Sequence, residues 1–217
     1  MSRRARPVEP PEWRARAALL AALQGRIPDP VLEALGAVDR RLFVPAELRD
    51  RGWENVSLPI GAEQTISQPS LVAAMVALAD PGPGARVLDV GTGSGYHAAV
   101  LSRLAGRVWS VERKAALSAF AAANLAAAGI DNVELRVGDG SDGHPPAAPY
   151  EVINVAAAMR DEVPAVLLEQ LADGGRLVGP VGDGDEQVLV RVVRHGSRLR
   201  RSEHGPVRFV PFVRERS

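Results

Sequence analysis

Apolar residues and alanines recur at helical spacing from Trp13 to Leu23 until Gly25 interrupts them, which predicts a first helix. Asp29-Pro30 sets an N-cap residue before a proline at the first helical position, predicting a short helix through Val38. From Arg40 to Ser67 the periodicity fails and Pro45, Gly52, Pro59 and Gly61 intervene, so this stretch reads as mostly loop. An irregular segment of that length inside a compact domain is usually functional. Pro69 to Leu78 restarts an alanine-rich helix, ended by Asp80-Pro81-Gly82-Pro83-Gly84.

Beyond Gly84 short apolar runs alternate with helical ones. Strands are predicted at Arg86–Val90, Arg107–Val111, Val133–Val137, Tyr150–Val155 and Arg176–Val181. Helices are predicted at Tyr96–Leu104, Lys114–Ala128 and Pro164–Leu171, the last stopped by Gly174-Gly175. Glu186–Arg194 and Val207–Val213 read as later strands, antiparallel at one edge. The expected fold is α/β: a doubly wound, mostly parallel central sheet with helices on both faces and a helical N-terminal extension. Residues 1–12, charged and proline-rich, are expected to be unordered, and residues 13–217 to form one domain. Within it, residues 13–80 would supply helices and a substrate loop, and residues 81–217 the core.

With 46% hydrophobic and 24% charged residues the chain has the composition of an ordinary globular protein. No apolar run reaches the length of a membrane span, and Met1 to Pro11 lacks the hydrophobic stretch of a secretory signal. A cytoplasmic protein without membrane contact is the expectation. Cysteine is absent, which excludes disulfides and thiolate chemistry, and the four histidines lack metal-pair spacing, so no metal is expected. The basic residues are nearly all arginine, Lys114 being the only lysine. The formal net charge is zero, which argues against nucleic acid as a partner. The exception is the arginine-rich stretch Arg191 to Arg201, which also reads as the solvated face of edge strands.

Chemistry concentrates at Val87-Leu88-Asp89-Val90-Gly91-Thr92-Gly93-Ser94-Gly95, a strand entering a glycine-rich turn before a helix. In open parallel sheets ligands bind beyond the carboxyl ends of the strands, beside such a turn. The spacing is G-x-G-x-G, not the dinucleotide G-x-G-x-x-G, and Asp89 two positions upstream would repel a pyrophosphate. A ligand carrying an ammonium and a sulfonium suits it better. Glu112, 21 residues after Gly91, ends the second core strand where it could accept both ribose hydroxyls. Asp139, in Gly138-Asp139-Gly140 after the third, could accept from an adenine amino group. Three acids at the ends of three successive strands point to S-adenosylmethionine.

The segment Leu58-Pro59-Ile60-Gly61-Ala62-Glu63-Gln64-Thr65-Ile66-Ser67-Gln68-Pro69 resembles the signature of protein-L-isoaspartate O-methyltransferases. So do Arg41-Leu42-Phe43-Val44-Pro45, Val87 to Val100, Gly138-Asp139-Gly140, Ala148-Pro149-Tyr150, Pro180-Val181-Gly182 and Arg208-Phe209-Val210-Pro211, in collinear order from about residue 27 to 213. The Gln-Thr-Ile-Ser segment is specific to that family, whereas the glycine turn is shared by all class I methyltransferases. The resemblance implies a Rossmann-like class I methyltransferase acting on the free α-carboxylate of isoaspartyl residues in peptides or proteins, here taken as a monomer. It implies that Gln64, Thr65, Ile66, Ser67, Asp89, Gly91, Thr92, Gly93, Gly95, Glu112, Arg113, Asp139 and Gly140 hold the cofactor. Ser67 would serve the acceptor carboxylate, and Arg208 to Pro211, Arg208 and Val210 among them, would help form the peptide cleft.

Departures from the family pattern are Glu63 for glycine, Ala156 for threonine, Asn154 for an apolar residue, Glu151 for aspartate, His97 for glutamine and Asp89 for the more frequent glutamate. Glu63 either points to solvent or adds a carboxylate near a site that must bind one. In the second case it would weaken acceptor affinity or change the acceptor to a different peptide or small-molecule carboxylate. Ser67 has a rival reading too, because it or Gln68 could merely cap the helix that starts near Pro69. A carboxylate acceptor is already ionised at neutral pH, so the expected mechanism is alignment and exclusion of water rather than strong base catalysis.

Overall fold

The computed structural model describes residues 11–213. The two N-terminal helices are Pro11–Leu23 (α1) and Asp29–Ala37 (α2). Of the segment expected to be unordered, residues 1–10 lie outside the described residues, while Pro11 and Glu12 already belong to α1. Asp29 is the first residue of α2 and not its cap; Pro28 holds that place without a side-chain hydrogen bond.

The stretch from Arg40 to Ser67 is more ordered than its prolines and glycines suggest. It makes two tight helical turns, Arg40–Phe43 and Ala46–Arg51, then an antiparallel hairpin of Leu58–Gly61 (β1) and Gln64–Ile66 (β2). At the hairpin tip Ala62 and Glu63 have φ of 50° and 60°, the left-handed pair that a type I′ turn demands and that Gly, Asn and Asp normally supply. Neither residue carries that signal, which is why the hairpin is invisible in the sequence. Tertiary contacts impose it: Leu58, Ile60 and Ile66 are buried in the core, and the Lys114 ammonium donates to the Ala62 carbonyl at 2.5 Å. Glu63→Gly should therefore stabilise the protein by roughly 0.5 kcal/mol, strain relief outweighing the added chain entropy. Urea unfolding reads this as a higher midpoint at constant slope, and a lower midpoint would show that the tip is not strained.

Pro69–Ala79 (α3) leads into the core: Arg86–Val90 (β3), Tyr96–Ser102 (α4), Arg107–Glu112 (β4), Ala115–Ala127 (α5), Val133–Val137 (β5) and Tyr150–Val155 (β6). Ala165–Glu169 (α6), Leu171–Asp183 (β7), Glu186–His195 (β8) and Arg198–Val207 (β9) complete it. The sheet order is β5-β4-β3-β6-β7-β8-β9, parallel from β5 to β7 and antiparallel for the last two pairings. Strand order reverses at β3, whose neighbours β4 and β6 leave in opposite directions, so the carboxyl ends of β3 and β6 flank the crevice where ligands bind in such sheets.

The two faces are covered unequally. On one, residues of α1 to α5 and the β1–β2 hairpin pack on Val87, Val108, Val152 and Val178. On the other, Leu167 of the five-residue α6 and connecting segments around Ala147, Met159 and Val163 pack on Leu88, Ile153 and Leu177. The helix predicted at Pro164–Leu171 is thus shorter, and β7 starts at Leu171, earlier than predicted, taking Gly174 and Gly175 within it. The last strand is also displaced: β9 is Arg198–Val207, not Val207–Val213. A strand exposed almost throughout leaves no apolar alternation to detect, and its arginines line the solvated edge. Arg208–Val213 instead runs as a strap outside the sheet, where Ala158 N–H donates to Val210 and Phe212 N–H to Ala158, each at 2.8 Å.

Candidate active site

Gly91, Gly93 and Gly95 all take left-handed φ (91°, 53° and 87°), so the chain can reverse tightly between β3 and α4. The turn is fixed from several sides. Gly91 N–H donates to Val111 O at 2.9 Å, Gly93 N–H to the Glu112 carboxylate at 3.0 Å, and the Asn124 amide to Ser94 O at 3.0 Å. Glu112 also accepts the Lys114 N–H at 3.0 Å, leaving each oxygen of this buried carboxylate with one protein donor and capacity for another.

Asp89 sits behind this turn and lines none of the recesses around it. Its register partners on β4 and β6 are Ser110 and Asn154, and both donate to it at 2.7 Å. Ser110 in turn bonds Thr92 at 2.6 Å. Burial pushes the Asp89 carboxyl up to about 6 against the lowering pull of those two donors. Asn154, anomalous as a replacement for an apolar residue, thus supplies a donor to the shorter acid at position 89.

Three recesses meet above the turn. One is walled by Gly91, Gly93, Glu112, Arg113, Gly140 and Phe212, with Gln64 on the hairpin side. A second is walled by Thr92, Ser94, His97, Val72, Ile66 and Ser67. The third is a cleft of about 640 Å³ between Ser67, Gln68 and Leu71 on one side and Pro206 to Val210 on the other. Thr65 and Ala156 line all three, and Ser67 lines the second and third.

The residues named from the sequence therefore divide. Gln64, Thr65, Ile66, Ser67, Gly91, Thr92, Gly93, Glu112, Arg113, Gly140, Arg208 and Val210 line the recesses. Asp89, Gly95 and Asp139 do not: Gly95 packs against Ala121 and Leu125 of α5, and Asp139 accepts Ser141 N–H at 2.8 Å beside the wall. Arg208 is exposed and paired with Asp185 at 3.0 Å. Glu63 is exposed at the hairpin tip and lines no recess, so its carboxylate stands clear of the cleft. The Ser67 and Gln68 side chains make no capping bond to α3.

A nucleoside with a cationic tail fits this set. Glu112 offers two acceptors at the rim, and backbone at Gly91 and Gly93 lies open to a ligand. Gly140 is obligatory, since a Cβ there would stand 2.4 Å from Val90 Cγ1 and fill the space. Sequence reasoning took Arg208 to Pro211 for part of a strand and missed Phe212, and it missed Arg40. The Arg40 side chain is fully buried and donates to four carbonyls: Gly52 at 2.6 Å, Glu54 at 3.3 Å, Val56 at 2.9 Å and Ser67 at 3.1 Å. The available hint was an arginine opening a run otherwise rich in apolar residues.

Known proteins resemble this chain in sequence and fold. The family described as protein-L-isoaspartate(D-aspartate) O-methyltransferase matches residues 16–217. A protein-L-isoaspartate O-methyltransferase of Methanoregula boonei is 50% identical over 188 residues, covering 86% of each chain, and one of Methanopyrus kandleri is 50% identical over 190 residues, covering 85% of this chain and 84% of that one. A solved protein-L-isoaspartate O-methyltransferase superposes with a TM-score of 0.80 at 31% identity over 90% of this chain and 65% of its own. A Plasmodium falciparum structure in complex with S-adenosyl-L-homocysteine gives 0.77 at 23% identity over 91% of this chain and 98% of its own, which supports the fold. With a glycine turn, a rim carboxylate and the Gln-Thr-Ile-Ser hairpin converging on one point, and half the positions shared with the Methanoregula and Methanopyrus enzymes across most of its length, this chain belongs to the protein-L-isoaspartate(D-aspartate) O-methyltransferase family.

Proposed function

We propose that the three recesses divide one reaction between them, with Ser67 as the hydroxyl that meets the acceptor carboxylate. The protein transfers a methyl group from S-adenosylmethionine to the free α-carboxylate of L-isoaspartyl residues in damaged peptides or proteins, and the ester then collapses through a succinimide towards repair. When bound, the cofactor supplies an electrophilic methyl group on a sulfonium. The observation that carries the division of labour is the shared wall: Thr65 and Ala156 border all three recesses, so groups held in all three can meet there.

Glu112 would accept the ribose hydroxyls, with Gln64, Arg113 and Gly140 enclosing the nucleoside. Thr65, Ile66, Gly91, Thr92 and Gly93 would border the remainder, while Asp89, Gly95 and Asp139 hold the walls from behind. Ser67, Arg208 and Val210 would face the peptide. A neutral hydroxyl suits the acceptor because it orients a carboxylate without the strong ion pair that would blunt its nucleophilicity. The hairpin and the Arg208–Val213 strap close over the junction and exclude water. We further take residues 13–217 as one domain acting as a monomer in the cytoplasm. Among the described residues no helix is long and apolar enough to cross a membrane.

The test is methyl-ester formation, read as methanol release, on an isoaspartyl peptide beside its normal aspartyl isomer. Turnover is expected for the first alone; turnover of neither, or of both, would reassign the acceptor. Ser67→Ala should lower kcat on the isoaspartyl peptide at least about tenfold while leaving cofactor affinity nearly unchanged, the pattern of a contact made at the acceptor. Unchanged kcat would remove Ser67 from the chemistry.

A further inference from the structure

His97 is the second residue of α4, and its ring lines the recess formed by Thr92, Ser94, Ile66 and Ser67. It is 6% exposed, and neither ring nitrogen has a hydrogen-bond partner among the described residues. A buried imidazole with both nitrogens unsatisfied is costly to keep. No acid among the described residues is paired with it, and burial alone drives its proton affinity down, so it is neutral near pH 7. An apolar side chain would fill the same volume without that penalty.

Its recess has a defined place. It shares Gly91, Gly93, Thr65 and Ala156 with the recess that carries Glu112, and Thr65, Ser67 and Ala156 with the peptide cleft. With the nucleoside beside Glu112 and the peptide in the cleft, the third recess of this junction, at His97, remains for the amino-acid end of the cofactor. We infer that the neutral His97 imidazole hydrogen-bonds that amino-acid end, fixing the sulfonium against the Thr65–Ala156 wall. The inference rests on the cofactor assignment above and makes His97 a binding and positioning residue, not an acid or base. Glutamine, the family's usual residue here, can do the same with its amide.

The measurement compares two ligands by calorimetry: S-adenosylhomocysteine, which keeps the amino-acid end, and methylthioadenosine, which lacks it. His97→Leu should weaken S-adenosylhomocysteine roughly tenfold to a hundredfold, the loss of one hydrogen bond to a charged group. Methylthioadenosine should change by less than about twofold, and His97→Gln should restore most of the loss. Equal weakening of both ligands, or no weakening of the first, would overturn the inference. Wild-type protein that binds neither would overturn the cofactor assignment with it. A readout without any substitution guards against a variant that does not fold: the ¹⁵N signals of the His97 ring should shift on adding S-adenosylhomocysteine and stay put on adding methylthioadenosine. A ring indifferent to both refutes the contact.

Discussion

Arg40→Met is expected to cost about 3–5 kcal/mol of stability and to reduce kcat/KM at least about a hundredfold. The guanidinium donates to four carbonyls spread from Gly52 to Ser67, and burial lowers its pKa only to about 10, so it stays charged at neutral pH. Methionine fills much of the same space but donates nothing, leaving the carbonyls of a folded-in loop without partners, each worth about 1–3 kcal/mol where water cannot reach it. Function should fall further than stability implies. One of the four carbonyls belongs to Ser67, and in the role proposed for its hydroxyl a displacement of about 1 Å would take the acceptor oxygen out of line with the methyl–sulfur bond. Arg40→Lys keeps the charge, yet a single ammonium cannot span four acceptors, so its losses should be intermediate. Urea midpoints and peptide kinetics measure the two effects separately. A Met variant with wild-type kcat/KM would show that Ser67 is held by the hairpin alone.

This cation also shows where the sequence stops being readable. The β3–turn–α4 unit and the alternation behind it were legible, because local pattern and tertiary role agree there, whereas Ser67 came into view only through the resemblance of Gln64 to Ser67 to a family signature. Arg40 was not legible, since a buried arginine and a surface one look alike until its carbonyl partners, up to 27 residues away, are folded against it. The β1–β2 hairpin escaped for the opposite reason: Ala62 and Glu63 contradict their own turn, and only buried Leu58, Ile60 and Ile66, with Lys114 latching the tip, override them. The C-terminal boundary slipped by nearly ten residues because β9 is exposed on both faces, whereas the strap after it carries the apolar residues that mimic a strand. Asp89 was rightly singled out as a strand-end acid, but alternation along β3 turns its side chain into the sheet face beside Ser110 and Asn154, one layer short of the recesses.

That placement sets up an opposition between two buried groups, and substituting one should expose the other. Unfolded, His97 takes a proton near 6.5; folded, only near 4. Between those values the unfolded state holds the extra proton, so acid destabilises the fold, by about 3 kcal/mol across the window. Asp89 works the other way. Its folded carboxyl takes a proton near 6 but its unfolded one only near 3.8, so acid stabilises the fold by a comparable amount, about 3 kcal/mol. In the wild type the two nearly cancel between pH 6.5 and 4. Asp89→Asn is close to isosteric, and Asn154, whose Oδ1 lacks a partner, can turn its amide to receive the new donor. The variant keeps the cost of charging His97 and loses the compensation, so its unfolding free energy should drop about 3 kcal/mol more steeply than the wild type's from pH 6.5 to 4. His97→Gln should tilt the profile in the opposite sense by about the same amount, because only the Asp89 contribution survives. Urea titrations at half-unit steps, taken as differences from wild type, cancel every other titrating group. Parallel profiles for all three proteins would mean that neither side chain titrates in the environment that burial gives it.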